Sequence, residues 1–332
     1  MSLTHRLPTY ADILEAARTI EGQAVHTPLL TSPDLDARLG GRIFIKAEPL
    51  QRTGSFKFRG AFNRISQIDE SARGAGVVAY SSGNHAQGVA ASAGAMSIPA
   101  TIVMPSDAPA IKRHNTEALG ATVVTYDRYT EQRERIAEAI AVESGATLVR
   151  PYDDPMVIAG QGTVGLEIAD QLDVLGARPD ALLAPCSGGG LVSGCALAMC
   201  ERFEGLEVLA VEPAGFDDTG RSLEAGARLT NESGPISICD ALLTPTPGEI
   251  TFALNSRLLA GGLAVEDDMV RKAMAYAFTR LKLVIEPGGS VALAAIMASL
   301  YDCKDKTVII VATGGNVDPQ VFTESLNFIE NA

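Results

Sequence analysis

The sequence predicts an α/β fold in two lobes, with parallel-rich sheets flanked by helices. Three observations carry that prediction. Strand-length apolar runs alternate with helix-length segments through residues 76–144 and again through 160–312, the pattern of a parallel sheet covered by helices. The 332 residues are enough for one large or two medium domains with a sizeable core. No internal repeat, low-complexity tract or long linker interrupts them, so the lobes share crossings, placed at residues 60–76 and 150–160. Residues 1–75 and 151–332 then form the larger lobe and 76–150 the smaller.

Taken in order, residues 8–20 read as an amphipathic helix, with Ile13, Leu14, Ala17 and Ile20 spaced for one face. Residues 42–46 are a short strand. From Gly76 the rhythm is regular: strand 77–80, a helix 83–95 rich in small residues, strand 100–104, helix 108–119, strand 122–126 and helix 130–144. Helix 160–172 and strand 181–184 follow, then a glycine run and a helix through Met199. Strands 208–211 and 307–312 continue the series, with helices 266–280 and 290–300 between them. Residues 231–238, small and polar, read as loop.

The bulk numbers exclude several functions. A formal charge of −13 with no basic stripe argues against nucleic acid and against an anionic membrane surface. No run approaches the ~18 apolar residues of a membrane span, and the N-terminus lacks the apolar core of a signal peptide. The cysteines at 186, 195, 200, 239 and 303 are odd in number and scattered, so they read as reduced thiols in a cytoplasmic protein.

Five stretches carry candidate chemistry. In Ser55-Phe56-Lys57-Phe58-Arg59-Gly60, a lysine is crowded by aromatic neighbours; burial lowers the pKa of an ammonium and makes the amine a nucleophile or base. The same spacing also suits a lysine on an ordinary amphipathic helix. Ser81-Ser82-Gly83-Asn84-His85 follows a strand and opens a helix, as an anion site or as a plain helix cap. Ser187-Gly188-Gly189-Gly190-Leu191 lies between a strand and a helix, where a glycine backbone closes around a phosphate or simply turns. It is not a GxGxxG fingerprint, and no GxxxxGK[ST] loop occurs, so a non-nucleotide phosphate is the better reading. Thr313, after the last strand, offers a hydroxyl to a ring nitrogen or to a turn. Glu212, Asp217 and Asp218 cluster in a loop that suits a hard cation or a solvated acidic surface. Together, an amine, a phosphate cradle, a ring-nitrogen partner and a carboxylate clamp are the parts that hold pyridoxal phosphate and an amino acid.

With those motifs in view, the chain closely resembles the serine/threonine dehydratases and serine racemases, pyridoxal-phosphate enzymes of the tryptophan-synthase-β fold (fold type II). The resemblance runs from about Thr9 to the end. It implies that Lys57, flanked by Phe56, is the Schiff-base lysine, and that Ser81, Ser82, Gly83, Asn84 and His85 hold the substrate carboxylate. Asn84 is also implied to reach the cofactor ring hydroxyl. Ser187, Gly188, Gly189, Gly190 and Leu191 are the implied phosphate cup, with serine where a fourth glycine is frequent, and Thr313 is the implied partner of the pyridine nitrogen. Glu212, Phe216 through its carbonyl, and Asp218 align with a divalent-cation site (Mg²⁺, Mn²⁺ or Ca²⁺) of the racemases and their hydroxyaspartate-dehydratase relatives. Ser82 matches the racemase serine that faces the lysine across the cofactor.

The expected activity is an L-threonine/L-serine ammonia-lyase giving a 2-oxo acid and ammonia. Serine racemase or 3-hydroxyaspartate dehydratase is the alternative. The large lobe is expected to bind the cofactor and the small one the substrate, in a homodimer whose only other partner is a small amino acid.

Overall fold

A computed structural model describes residues 6–329 except Ser82, Pro109 and Ser233. Among the described residues ten strands form two sheets: β1 (Leu29–Thr31), β2 (Arg42–Ala47), β3 (Val77–Tyr80), β4 (Ala100–Pro105), β5 (Thr122–Tyr126), β6 (Thr147–Leu148), β7 (Ala181–Pro185), β8 (Glu207–Pro213), β9 (Gly261–Val265) and β10 (Thr307–Ala312). The larger sheet runs β1-β2-β10-β7-β8-β9 and the smaller β5-β4-β3-β6. Every pairing is parallel except β1 with β2, where Leu29 faces Lys46.

The alternation of side chains explains why both faces are covered. Along the larger sheet, Ile43, Ile45, Leu183 and Ile310 point to one face, against helices Asp267–Tyr276 and Pro287–Met297. Phe44, Leu182, Ala184 and Ile309 point to the other, against helices Pro155–Val174 and Gly190–Arg202. A strand buried on both faces reads as a continuous apolar run, which is why these strands were legible. In the smaller sheet, Val77, Ala79, Ile102 and Met104 meet helices Lys57–Ser66 and Asn84–Ala95. The opposite face buries Val78 and Val103 with Ala137 of helix Arg133–Ser144.

Helix Lys57–Ser66 is the hinge of this arrangement, because it packs on both neighbours at once. Ala61 and Ile65 enter the smaller sheet's core. Gly60 and Gly160 let it cross helix Pro155–Val174 closely: a Cβ on Gly160 would lie 2.6 Å from the Gly60 Cα. A methyl at either position therefore has no room without moving backbone.

Boundaries differ from expectation for local reasons. The helix read as 160–172 begins at Pro155, because Asp154 caps it by accepting the Met156 and Val157 amides. The helix read as 130–144 begins at Arg133. The segment 266–280 is an α-helix only to Tyr276; it closes as a π-turn over Ala277–Leu281 and stops at Lys282, left-handed at φ 58. Strands β1, β6 and β9 and helices Asp218–Ala225, Glu249–Leu258 and Pro319–Leu326 had no separate sequence reading.

Candidate active site

The motifs singled out above converge on one cavity of about 320 Å³ at the carboxyl ends of the strands, where ligands gather in parallel α/β sheets. Ser81, Gly83, Asn84 and His85 reach it after β3, residues 187–191 after β7, and Thr313 after β10, with Phe56 and Lys57 between them. Ser82 lies outside the described residues. Glu212 and Asp218 are not in the cavity wall.

Lys57 opens the first turn of its helix. Its Nζ donates to the Pro151 carbonyl at 2.7 Å and stands 5.2 Å from the centre of the Phe56 ring. Among the described residues no carboxylate pairs with it. Burial alone pushes its pKa down to about 8, as expected for an ammonium taken out of water without a counter-charge. The Phe56 amide donates to the Thr313 carbonyl at 3.1 Å, which ties the lysine turn to the end of β10.

The glycine loop leads from β7 into the thirteen-residue helix Gly190–Arg202. Gly189 sits at φ +93, a conformation that L side chains rarely adopt. The Thr251 hydroxyl donates to the Gly188 carbonyl at 2.7 Å, and the Ser187 hydroxyl donates to Thr244 Oγ1 at 2.6 Å. The loop is thereby held at a helix N-terminus, where free amides and the helix dipole favour an anion.

Asn84 is fixed from both ends. Its Nδ2 donates to Glu286 Oε1 at 2.5 Å, and its Oδ1 accepts from Asn316 Nδ2 at 2.7 Å. Burial raises Glu286 to about 7, with the charge of Asp240 adding to it. His85 has Nε2 2.9 Å from the Val149 carbonyl, so the proton sits on Nε2 and donates there. Its Nδ1 is buried with no hydrogen-bond partner among the described residues. Burial, reinforced by the Lys57 charge, holds its pKa down to about 3, so the ring is neutral.

These residues fit pyridoxal phosphate. An amine with no described carboxylate partner, a backbone cradle and the Thr313 hydroxyl share one cavity, and His85 in its wall has a buried Nδ1 that lacks a partner among the described residues. Unpaired buried polar groups are costly, so their presence at a cavity marks a place where a ligand completes the bonding. Sequence reading missed Glu286, Pro151, Tyr152 and Arg133, all in the cavity wall. Only Glu286, preceding Pro-Gly-Gly-Ser at a helix start, carried a local signal that could have found it.

Comparison with known proteins identifies the family. The family described as pyridoxal-phosphate dependent enzyme matches residues 20–314. An L-threo-3-hydroxyaspartate ammonia-lyase of Pseudomonas sp is 44% identical over 321 residues, covering 97% of this chain and 99% of that protein. A solved threonine deaminase of T.th. is 42% identical with a TM-score of 0.88, over 94% of this chain and 99% of that one. Maize serine racemase is 34% identical with a TM-score of 0.90, over 98% and 99%. The chain belongs to the pyridoxal-phosphate-dependent enzymes, with the fold type II architecture of the threonine deaminases and serine racemases.

Proposed function

We propose that this enzyme is an ammonia-lyase for β-hydroxy amino acids, with L-threonine and L-serine as substrates, working in the cleft between the 76–150 lobe and the rest. The observation that carries the reading is the Lys57 amine, unpaired by any described carboxylate, in the same cavity as the glycine loop and a neutral hydroxyl at Thr313. The loop 187–191 holds the phosphate, and residues 81–85 bind the substrate carboxylate. When bound, the cofactor supplies an electron-withdrawing ring that takes up the electron pair left at Cα. Lys57 Nζ removes the Cα proton; a pKa of about 8 leaves a useful neutral fraction near pH 7. Thr313 offers the ring nitrogen a hydroxyl in place of a carboxylate. It gives no charge support to a protonated ring, so loss of the β-hydroxyl is favoured over transamination.

A second reading, action on 3-hydroxyaspartate, is favoured by Arg133. Its guanidinium lies over the Tyr80 ring at 5.6 Å in the cavity wall. Among the described residues only its Nε is hydrogen-bonded, to Glu134 at 2.8 Å. The remaining N–H groups suit a second substrate carboxylate. Product analysis with L-threonine, L-serine, D-serine and both 3-hydroxyaspartate diastereomers tests the two together. Under the second reading, Arg133→Gln loses at least tenfold in kcat/KM on hydroxyaspartate and less than threefold on threonine. Equal losses on both substrates reject it. Racemisation would need a proton carrier on the face opposite Lys57, a role this reading gives to Ser82. Ser82→Ala should then abolish D-serine formation and keep threonine deamination within about tenfold, or ~1.4 kcal/mol of barrier.

The same reading places a divalent cation (Mg²⁺, Mn²⁺ or Ca²⁺) on Glu212, Asp218 and the Phe216 carbonyl. Among the described residues no group of three or more His, Cys, Asp or Glu is arranged so that it could hold a metal ion, so the support is narrower. Both Glu212 oxygens accept amides, from Thr219 at 3.0 Å and Gly220 at 2.9 Å. Asp218 Oδ2 is buried with no hydrogen-bond partner among the described residues. Burial, with the charge of Asp218 next, raises Glu212 to about 8, and burial raises Asp218 to about 6. A carboxylate with a raised folded-state pKa loses stability as pH climbs from its unfolded value to the folded one. Mg²⁺ or Ca²⁺ should therefore raise the melting temperature more at pH 8 than at pH 5.5, and the shift should titrate with concentration. A homodimer in the cytoplasm completes the reading; five unpaired cysteines support a reducing compartment. Among the described residues no helix is long and apolar enough to cross a membrane.

A further inference from the structure

Three consecutive residues after β6 tie the site to its surroundings. Pro151 takes the Lys57 ammonium on its carbonyl at 2.7 Å. Asp153 caps helix Glu249–Leu258, accepting the amides of Glu249 at 3.0 Å, Ile250 at 2.9 Å and Thr251 at 3.3 Å. Thr251 in turn holds the Gly188 carbonyl. Between these two anchors, Tyr152 lies directly against the glycine loop. A Cβ on Gly188 would stand 2.4 Å from Tyr152 Cγ and Cδ2, and one on Gly190 would stand 3.1 Å from Tyr152 Cα and Cβ.

Gly188 and Gly189 are glycines for different reasons. Gly189 has a positive φ, whereas Gly188 is absent from the positive-φ glycines. The backbone at 188 therefore accepts an L residue; the tyrosine ring is what excludes one. Among the described residues the Tyr152 hydroxyl makes no hydrogen bond, and burial pushes its pKa up to about 12, so it stays neutral. The contact is made by the ring face and not by the hydroxyl.

We propose that Tyr152 is a positioning residue for the cofactor: its ring buttresses the Gly188–Gly190 turn, and its fixed neighbours Pro151 and Asp153 set the spacing between the phosphate cradle and the Lys57 amine. This rests on the family's cofactor occupying the cavity. That premise is checked separately by whether the wild-type holoenzyme carries a lysine-bound chromophore.

The test measures cofactor release from holoenzyme, read as loss of that chromophore after dilution into a phosphatase that consumes free cofactor, with melting temperature measured in parallel. Tyr152→Phe should release within twofold of wild type, because the ring remains. Tyr152→Ala should release at least tenfold faster, as should Gly188→Ala alone. In the Tyr152→Ala background, adding Gly188→Ala should change release by less than twofold, because the clash is gone. If Tyr152→Ala does not accumulate as folded protein, the Tyr152→Phe background takes its place: the ring and the clash remain there, so Gly188→Ala should again release at least tenfold faster, and a change below twofold overturns the proposal. A tenfold effect of Gly188→Ala in both the wild-type and the Tyr152→Ala backgrounds overturns the proposal. So does a lowered melting temperature with unchanged release, which would assign Tyr152 to packing alone.

Discussion

Lys46 and Lys57 are both lysines taken out of water, and they end in opposite surroundings. Lys46, near the end of β2, uses its ammonium fully, donating to the Thr27 carbonyl at 2.8 Å, Glu167 at 2.6 Å and Gln171 at 3.1 Å. Arg59, two residues beyond Lys57, joins the same buried cluster through Glu48 at 2.8 Å and Glu167 at 2.6 Å. Two cations and two carboxylates balance there. Lys57 has one carbonyl and no described carboxylate. Burial lowers both lysines, but Glu167 and Glu48 pull Lys46 back toward the charged form. Burial is common to the two; the missing counter-charge is what makes an amine available for chemistry.

The sharpest way to break this comparison is to exchange the roles. Borohydride reduction and peptide mapping should place the pyridoxyl group on Lys57, and finding it on Lys46 would end the assignment. Lys57→Ala should cost at least ten-thousandfold in kcat/KM, about 5 kcal/mol of barrier.

Next in size is Glu167→Ala, which strips Lys46 of its hydrogen-bonded carboxylate and Arg59 of one of two. Leaving a buried charge unpaired costs about 3–5 kcal/mol, so the urea midpoint should fall by a corresponding amount. The Lys46 amine should then titrate lower than in wild type, approaching the behaviour of Lys57. An unchanged midpoint would mean that the cluster is well solvated and the contrast is not electrostatic.

The smallest effect is a pH dependence of the cofactor-free protein. Lys57 carries a folded pKa of about 8 against an ordinary value of 10.5. Between those values the unfolded chain holds more proton, so stability rises with pH, by roughly 3 kcal/mol across the window. Below pH 8 both states are protonated and the burial penalty is constant. Lys57→Met should flatten this rise when wild type and variant are compared by urea unfolding from about pH 7 to about pH 10.5. Parallel curves would show that Lys57 is not desolvated.

Much of the site was legible because its parts are local. Ser81–His85 and Ser187–Leu191 are short motifs at strand-to-helix junctions, Thr313 follows β10 and Ser55–Gly60 opens a helix, and a parallel α/β sheet brings the ends of its strands to one edge. Other residues carried no local pattern. The bond from Asn84 to Glu286 spans 202 positions and that from Lys57 to Pro151 spans 94, and nothing in either neighbourhood announces the other. Short elements were lost for a related reason. The two-residue β6 and the Gly-Gly-Leu-Ala-Val strand β9 have little intrinsic strand signal and exist through pairing with β3 and β8.

By itself, then, the sequence determined the alternating α/β architecture, the lysine turn and the glycine loop, because periodicity and backbone freedom are written into consecutive residues. Only the tertiary structure decided that Lys46 would meet a carboxylate and Lys57, among the described residues, only a carbonyl, and that Tyr152 would lie against Gly188. Those outcomes depend on which distant carboxylate or ring arrives, and only the packing of the two sheets around helix Lys57–Ser66 determines that.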